Sequence, residues 1–269
     1  MSPESRTLSL SPGPVNDNRA VTARFYTPDA HHVGELADLP AAEAEHLARV
    51  LRLTTGSRIR VFNGVGGEFD AVVETVSRGH ARVRLTGARD ALAEPRVAVT
   101  LAQAVLKGDG MDEVVRDAGM MGAAAIQPLV TTRSEVTLAA LRRGRRRERW
   151  HRIAVAAAKQ CGRATVPPVL EPCPFTDLTA ALARMVLPGP AAMFVEPSAD
   201  DGTLALADLS DPPPRETTVI IGPEGGWDAD ELTRGAAVCR MVTLGRRTIR
   251  ADAMAVVALA ALFAVWHEY

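Results

Sequence analysis

Two stretches place chemistry-bearing residues where a strand should end. In "VIIGPEGG", residues 219–226, three apolar residues that favour strands run into Gly222-Pro223-Glu224-Gly225-Gly226. In "MVTLGRR", residues 241–247, a similar run opens into Gly245-Arg246-Arg247. Loops at the carboxyl ends of strands are where open α/β sheets hold ligands. A phosphate is the first ligand to test, and the pattern argues against it. There is no GxxxxGK[ST], no GxGxxG opens a helix after a strand, and "GVGGE" at 64 lies between expected strands. Glu224 would also repel an anion. A neutral or cationic ligand is easier to place, and S-adenosylmethionine meets that condition. Its sulfonium is positive, and its adenine edge can be read by main chain wherever glycines let the backbone approach. Either loop alone is equally well read as a tight strand-to-helix turn; two of them at two strand ends favour a ligand.

The elements that must carry these loops follow from periodicity. Between Arg24 and about Leu85, "RIRVF", "EFDAVVETV" and "HARVRL" read as strands joined by the glycine turns "NGVGG" and "SRGH", with one helical insertion, "AAEAEHLARVLRL". This predicts a small β-barrel-like domain over residues 22–90. The polar, proline-bearing "ARDALAEPR" marks its boundary. From 95 to 269 strands alternate with helices: "VAVTLAQAV", a helix from Met111, "AAIQPLV", a long helix ending near Gln160, "PVLEP", a helix from Thr176, "AAMFVEP", "TTVIIGPEGG", a helix from Asp228, "MVTLG" and a last helix from Ala251. That alternation predicts an α/β domain whose mostly parallel sheet is covered on both faces. Residues 1–21, rich in Ser, Pro and Asn, lack the apolar core of a signal peptide and read as a disordered tail. The apolar run at 253–266 is too short to span a bilayer and suits a buried helix.

Composition bounds the partners. The formal net charge is −1, so nucleic-acid binding would have to come from local patches. Lysine occurs only at 107 and 159, the other basic residues being arginine, whose planar fork suits phosphate. Cys161, Cys173 and Cys239 form no CxxC pair and no Cys/His cluster, which argues against a metal and a disulfide scaffold and fits a reducing cytoplasm. The run "LRRGRRRERWHR" reads first as a solvated charged face, with contact to RNA as the alternative.

Taken in order, "RFYTPD" at 24, "HLARVLRLTTGSRIRVFNG" at 46, "EFDAVV" at 68, "KGD" at 107, "MMGAAAIQPL" at 120, "AAAKQCGR" at 156, "IGPEGG" at 221 and "LGRRTIR" at 244 resemble the blocks of the ribosomal RNA small-subunit methyltransferase E family, within the SPOUT superfamily. The resemblance spans about residues 22–266. It implies a PUA-like N-terminal β-barrel and a C-terminal SPOUT-type α/β domain with a deep trefoil knot. It further implies a homodimer with the cofactor pocket near the interface, and methylation of N3 of a uridine in 16S rRNA within an assembled small subunit. The S-adenosylmethionine site so implied comprises Glu196, Ile221, Gly222, Pro223, Gly225, Gly226, Leu244, Gly245, Arg247 and Ile249. The sequence departs from the family at Asp117 and Met120, where a Lys and a Glu are usual. In the loop usually reading LGPRxLRTET, Arg246 replaces Pro, Asp252 replaces Glu, and Ala251 and Ala253 replace the threonines.

Loss of the N3 proton spreads negative charge over the flanking carbonyl oxygens, which an arginine fork would stabilise. Arg250 or Arg247 is expected in that role, with Glu224 as proton acceptor or as the group that orients an arginine. For RNA, Arg24, Arg49 and Arg52 are the candidates in the barrel; if Arg49 and Arg52 share a helix, their spacing puts them on one face. Lys107, Arg133 and Arg163 are the candidates near ends of C-terminal elements, and Trp227 is a candidate to stack on an unstacked base. Two other readings stand beside this one: a SPOUT enzyme acting on another rRNA or tRNA nucleotide, and a non-catalytic RNA-binding assembly protein.

Overall fold

The structure, a computed structural model, describes residues 23–184, 191–197, 203–209 and 212–268. The tail expected at 1–21 lies outside the described residues. Two sheets organise the chain. The first has five strands in the order β1-β3-β4-β5-β2: β1 (Arg24–Tyr26), β2 (Leu36–Asp38), β3 (Arg58–Phe62), β4 (Glu68–Ser77) and β5 (His80–Arg89). Only β1 and β3 pair in parallel; the other pairs are antiparallel, and β4 and β5 slip register at two irregularities. The two edges approach each other where the Thr27 hydroxyl donates to the Asp38 carbonyl at 2.9 Å. Alternate residues Ile59, Val61, Phe69, Ala71, Val73, Val83 and Leu85 face one core with Phe25 and Leu47, as period-2 side-chain direction requires.

The expected helix at 41–53 forms only as α1 (Ala41–Glu45) continued by a π-helical turn over His46–Val50. Arg52 sits beyond it with φ of 53°. Arg49 and Arg52 therefore do not share a helix face, which corrects the spacing argument.

The second sheet has seven strands in the order β10-β12-β9-β11-β6-β7-β8, all parallel: β6 (Ala98–Ala104), β7 (Ala125–Val130), β8 (Cys173–Pro174), β9 (Ala192–Phe194), β10 (Leu204–Ala205), β11 (Glu216–Ile221) and β12 (Arg240–Thr243). Helices α2 (Gly110–Met121), α4 (Arg146–Cys161) and α7 (Ala251–Val265) cover one face, and α5 (Phe175–Arg184) and α6 (Ala229–Ala236) the other. Strand β11 shows why the run is apolar throughout. Val219 and Ile221 pack with the first group of helices, and Ile220 packs with Phe175 and Trp227 on the opposite side. The long helix expected to end near Gln160 is preceded by a separate short one, α3 (Leu138–Arg143), capped by the Thr137 hydroxyl. "PVLEP" is not a full strand. Its backbone makes one isolated bridge, Val169 to Ile126, before two-residue β8, because prolines 167, 168, 172 and 174 cannot donate to a ladder. Among the described residues no helix is long and apolar enough to cross a membrane.

The "NGVGG" turn does more than close a hairpin. Gly64 bridges to Thr165, its carbonyl accepts Val166 N–H at 2.9 Å, and Gly66 N–H donates to Ala164 O at 3.1 Å. Gly64 has φ of +82°, and a Cβ there would meet the Tyr26 ring at 2.8 Å, so only glycine holds this junction between the two sheets.

Candidate functional site

Four neighbouring strands, β12, β9, β11 and β6, end on one rim, and the loops that leave them enclose a cavity of about 800 Å³. From β6 come Lys107 and Asp109; from β9, Phe194 to Pro197; from β11, Ile221 to Glu224 with Gly226; from β12, Leu244 and Arg247 to Asp252. Of the residues expected at the cofactor site, Glu196, Ile221, Gly222, Pro223, Gly226, Leu244, Arg247 and Ile249 line this cavity, and so do Arg250 and Glu224. Gly225 and Gly245 flank it. The Gly225 carbonyl is taken by Arg133 Nη1 at 2.8 Å, and Gly245 turns the chain at φ of +73°.

The glycine loop is shaped from beneath as well as from the cavity. Trp227 is buried, its indole N–H donating to Phe194 O at 3.0 Å and its ring tilted against Phe175 at 5.0 Å. A Cβ on Gly222 would meet that indole at 2.9 Å. The stacking role expected of Trp227 is therefore corrected: it forms the bed under Gly222. Gln103, fully buried at the end of β6, donates to Gly222 O at 3.3 Å and to Ala104 O at 3.0 Å. Sequence reasoning passed over it, although a lone amide inside "VTLAQAV" was the available signal.

Loops from different strands are tied together. Glu224 Oε1 accepts the Lys107 backbone N–H at 2.9 Å, joining the β6 and β11 loops. Asp228 and Glu231 form a capping box at the start of α6, and the buried Glu231 carboxylate also accepts Thr132 N–H at 2.8 Å from the β7 loop. The Lys107 ammonium pairs with Glu135 at 2.6 Å, which holds it above the usual lysine range.

Arg250 is the N-cap residue of α7, and its fork meets Asp252 through two bonds, Nε to Oδ1 at 3.2 Å and Nη2 to Oδ2 at 2.7 Å. That pair raises the guanidinium pKa and holds the Asp252 carboxyl below its ordinary value. The side chain remains 85% exposed, so the face not used by Asp252 is open to a substrate. Asp252 also accepts the Ala253 N–H at 2.9 Å in the first turn of α7, where a negative charge is favoured. Asp117, another of the departures, pairs on the surface with its neighbour Arg116.

The wall carries five carboxylates, Asp109, Glu113, Glu196, Glu224 and Asp252, against the cations Lys107, Arg247 and Arg250. That balance favours a ligand bearing positive charge. Among the described residues no cluster of His, Cys, Asp and Glu could hold a metal.

The basic residues expected on RNA divide sharply. Arg49 is exposed and pairs with Glu45, Arg52 is exposed, and Lys107 and Arg133 lie at the cavity rim. Arg24 and Arg163 are corrected, since both are held inside the protein. The Arg24 side chain is 12% exposed, forks onto Glu68 at 3.1 and 3.3 Å, donates to Ala158 O and Arg163 O, and lies 4.0 Å over the Phe62 ring. Arg163, 3% exposed, binds Glu94 and the Gly119 and Ala123 carbonyls. Each also binds carbonyls at or just past a helix end, Arg24 those of Ala158 in the last turn of α4 and of Arg163 beyond it, and Arg163 those of Gly119 and Ala123 at the end of α2.

Residues 93–263 match the model of an RNA methyltransferase domain, and residues 39–86 that of an RNA methyltransferase PUA domain. The ribosomal RNA small subunit methyltransferase E of Synechocystis sp. is 33% identical over 241 residues, which is 84% of this chain and 72% of the relative. Its namesake in Mycobacterium bovis is 29% identical over 245 residues, covering 90% of this chain and 91% of the relative. Among solved structures, the ribosomal RNA small subunit methyltransferase E of Neisseria gonorrhoeae, bound to S-adenosyl methionine, is similar with a TM-score of 0.78 and 30% identity, covering 91% of this chain and 98% of the other. A methyltransferase of Legionella pneumophila in complex with the cofactor SAM gives 0.80 and 28%, covering 90% and 97%. With a matched domain spanning well over half its length and relatives aligned along most of the remainder, the chain belongs to the RNA methyltransferase family that includes the ribosomal RNA small subunit methyltransferase E proteins.

Proposed function

We propose that the chain is an S-adenosylmethionine-dependent methyltransferase acting on N3 of a uridine in 16S rRNA within an assembled small subunit. The observation that carries this reading is that the glycine loop, the β12 loop and Arg250 open into one cavity. The cavity fits the cofactor. Gly222 and Gly226 leave main chain bare on one side, and the excess of carboxylates suits a cation. Ile221, Gly222, Pro223, Leu244 and Ile249 would hold the adenosine, with Glu196 and Glu224 nearest in kind to a positive charge. When bound, the cofactor supplies an electrophilic methyl group.

The remaining work falls to this chain's residues. They must exclude water, hold the acceptor nitrogen in line, and favour the deprotonated imide. Arg250 is assigned the charge that develops on the carbonyl oxygens beside N3, and Asp252 fixes the direction of its fork. Arg247, which makes no ion pair among the described residues, is the second cation available to those oxygens. Glu224 is assigned an orienting role, since one of its oxygens already accepts the Lys107 N–H; its other oxygen is free to take the imide proton. A homodimer with the pocket near its interface, the knotted path of a SPOUT domain and residence in the cytoplasm belong to the same reading.

The test is turnover of Arg250→Ala on assembled small subunits, with cofactor binding followed by calorimetry. We expect binding within about twofold of wild type and a rate lowered by about 10²–10³, the loss seen when one charge-stabilising donor is removed. Near-normal turnover would remove Arg250 from the chemistry. Mass spectrometry of rRNA from a deletion strain checks the acceptor: intact N3-methyluridine would reject it.

A further inference from the structure

Residues 142–152 hold seven arginines and one glutamate, a net charge of +6 in a chain whose total is −1. All but Trp150 are exposed or stand at the helix surface. Arg147 pairs with Glu171, and Arg149 pairs with Asp109 at 3.0 Å and with Asp112. Arg142, Arg143, Arg145, Arg146 and Arg152 form no ion pair among the described residues. A solvated helix face ordinarily balances its charges at i,i+4 spacing; here the one acidic residue, Glu148, stands four before Arg152 yet forms no ion pair with it among the described residues, and the arginines stay in excess.

Its direction matters more than its charge. On α4 the buried residues are Trp150, Ala154, Ala157 and Ala158. Arg145, Arg149, Arg152 and Lys159, separated by four, three and seven positions, fall along the opposite side. One end of this stripe is fastened to the cavity wall through Asp109. The other is fastened to the N-terminal sheet, because Lys159 Nζ meets Glu43 Oε2 at 2.7 Å and Arg24 donates to the Ala158 carbonyl at 3.0 Å. Sixteen helical residues span about 24 Å at ~1.5 Å each.

We infer that this face of α4, carried by Arg145 and Arg152 and joined at its start by Arg146, exposed in the first turn, is a phosphate-binding rail that holds the RNA backbone between the N-terminal unit and the cavity mouth. The inference rests on the RNA reading above and adds where the backbone lies. Unpaired arginines keep a counterion cloud that a polyanion displaces on binding, and their forks match phosphate oxygens. Such contacts position the strand and leave base choice to the cavity. They also answer a difficulty of the site itself, whose excess of carboxylates would otherwise turn RNA away.

The experiment uses the full chain carrying Arg145→Gln, Arg146→Gln and Arg152→Gln together, leaving Arg149 and Lys159 to their structural ion pairs. Binding of a labelled small-subunit rRNA fragment is followed by fluorescence anisotropy over a range of KCl, and S-adenosylmethionine binding by calorimetry reports on the fold. The slope of log affinity against log salt should fall by about 2, from three contacts at ~0.7 each on a single strand. KM for RNA should rise while kcat at saturating RNA stays within about twofold, and the triple Arg→Lys variant should regain the wild-type slope. If the triple variant misfolds, Arg145→Gln and Arg152→Gln singly should each lose ~0.7 of slope. A wild-type slope and KM in the glutamine variant, or a defect that lysine does not restore, overturns the rail and leaves the methyltransferase reading standing. A wild-type chain that binds no RNA at any salt overturns both.

Discussion

Gly222→Ala tests whether the glycine loop is set by what lies beneath it. Gly222 has no left-handed φ, so alanine can adopt its backbone; the cost is contact. The added Cβ would sit 2.9 Å from Trp227 Cε2 and 3.0 Å from Nε1. The indole cannot swing aside freely, because its N–H is committed to Phe194 O at 3.0 Å and its ring lies against Phe175. Either the loop rises or the indole bond stretches. Overpacking of this kind costs about 1–3 kcal/mol, and a middle value of about 2 kcal/mol lowers Tm by roughly 4–8 °C for a chain of this size. If half of it falls on the loop, S-adenosylmethionine binds about fivefold more weakly. Calorimetric titration and thermal unfolding measure the two together. Trp227→Phe, smaller at the point of contact, should recover part of the loss in the double variant, giving a coupling of opposite sign to the single effects. Unchanged Tm and affinity in Gly222→Ala, or strictly additive losses in the double variant, would show that the indole does not set the loop.

Other outcomes follow from the same contacts. Arg24→Ala should lower stability by about 3–5 kcal/mol, because it leaves the Glu68 carboxylate buried without its partner, whereas exposed Arg49→Ala should change it by less than about 0.5 kcal/mol; denaturant unfolding of both separates a structural arginine from a surface one. Arg163→Lys should be nearly as damaging as Arg163→Ala in thermal unfolding, since one ammonium cannot reproduce a fork shared among Glu94 and two carbonyls. Burial pushes the Cys239 thiol up to about 11. Iodoacetamide at pH 8 should therefore label Cys239 far more slowly in the folded chain than in the unfolded one. Because the folded state then keeps a proton that the unfolded state releases, stability should fall as pH rises from about 9 towards 11, and Cys239→Ala should flatten that fall.

What could be read from residues alone was whatever is local. Val219 to Ile221 announced a strand buried on both faces, Gly222 to Gly226 announced its loop, and the acidic segment from Asp228 announced a helix start. All of these depend on residues within a few positions of one another. Arg24 looked like an RNA ligand because it stands in a family-matching block and Arg163 because it falls near an element end, and nothing nearby in the chain reveals that their partners stand 40 to 139 positions away. Trp227 misled for the same reason. Its position beside the loop was visible, but Phe175 and Phe194, which draw it inward, belong to other elements. The shared helix face of Arg49 and Arg52 failed for a subtler cause: the helical pattern continued in composition after the backbone had loosened into a π turn.

The bonds from Glu224 to the Lys107 amide, from Arg133 to the Gly225 carbonyl and from Glu231 to the Thr132 amide fasten the loops after β6, β7 and β11 into one side of the cavity lip. A ligand arriving there meets a shape already set and loses little freedom in ordering it. Loosening any one clasp should shorten the ligand's residence while leaving its rate of arrival nearly untouched, so a substitution on the β7 loop, which contributes nothing to the inner wall, would be felt as faster escape.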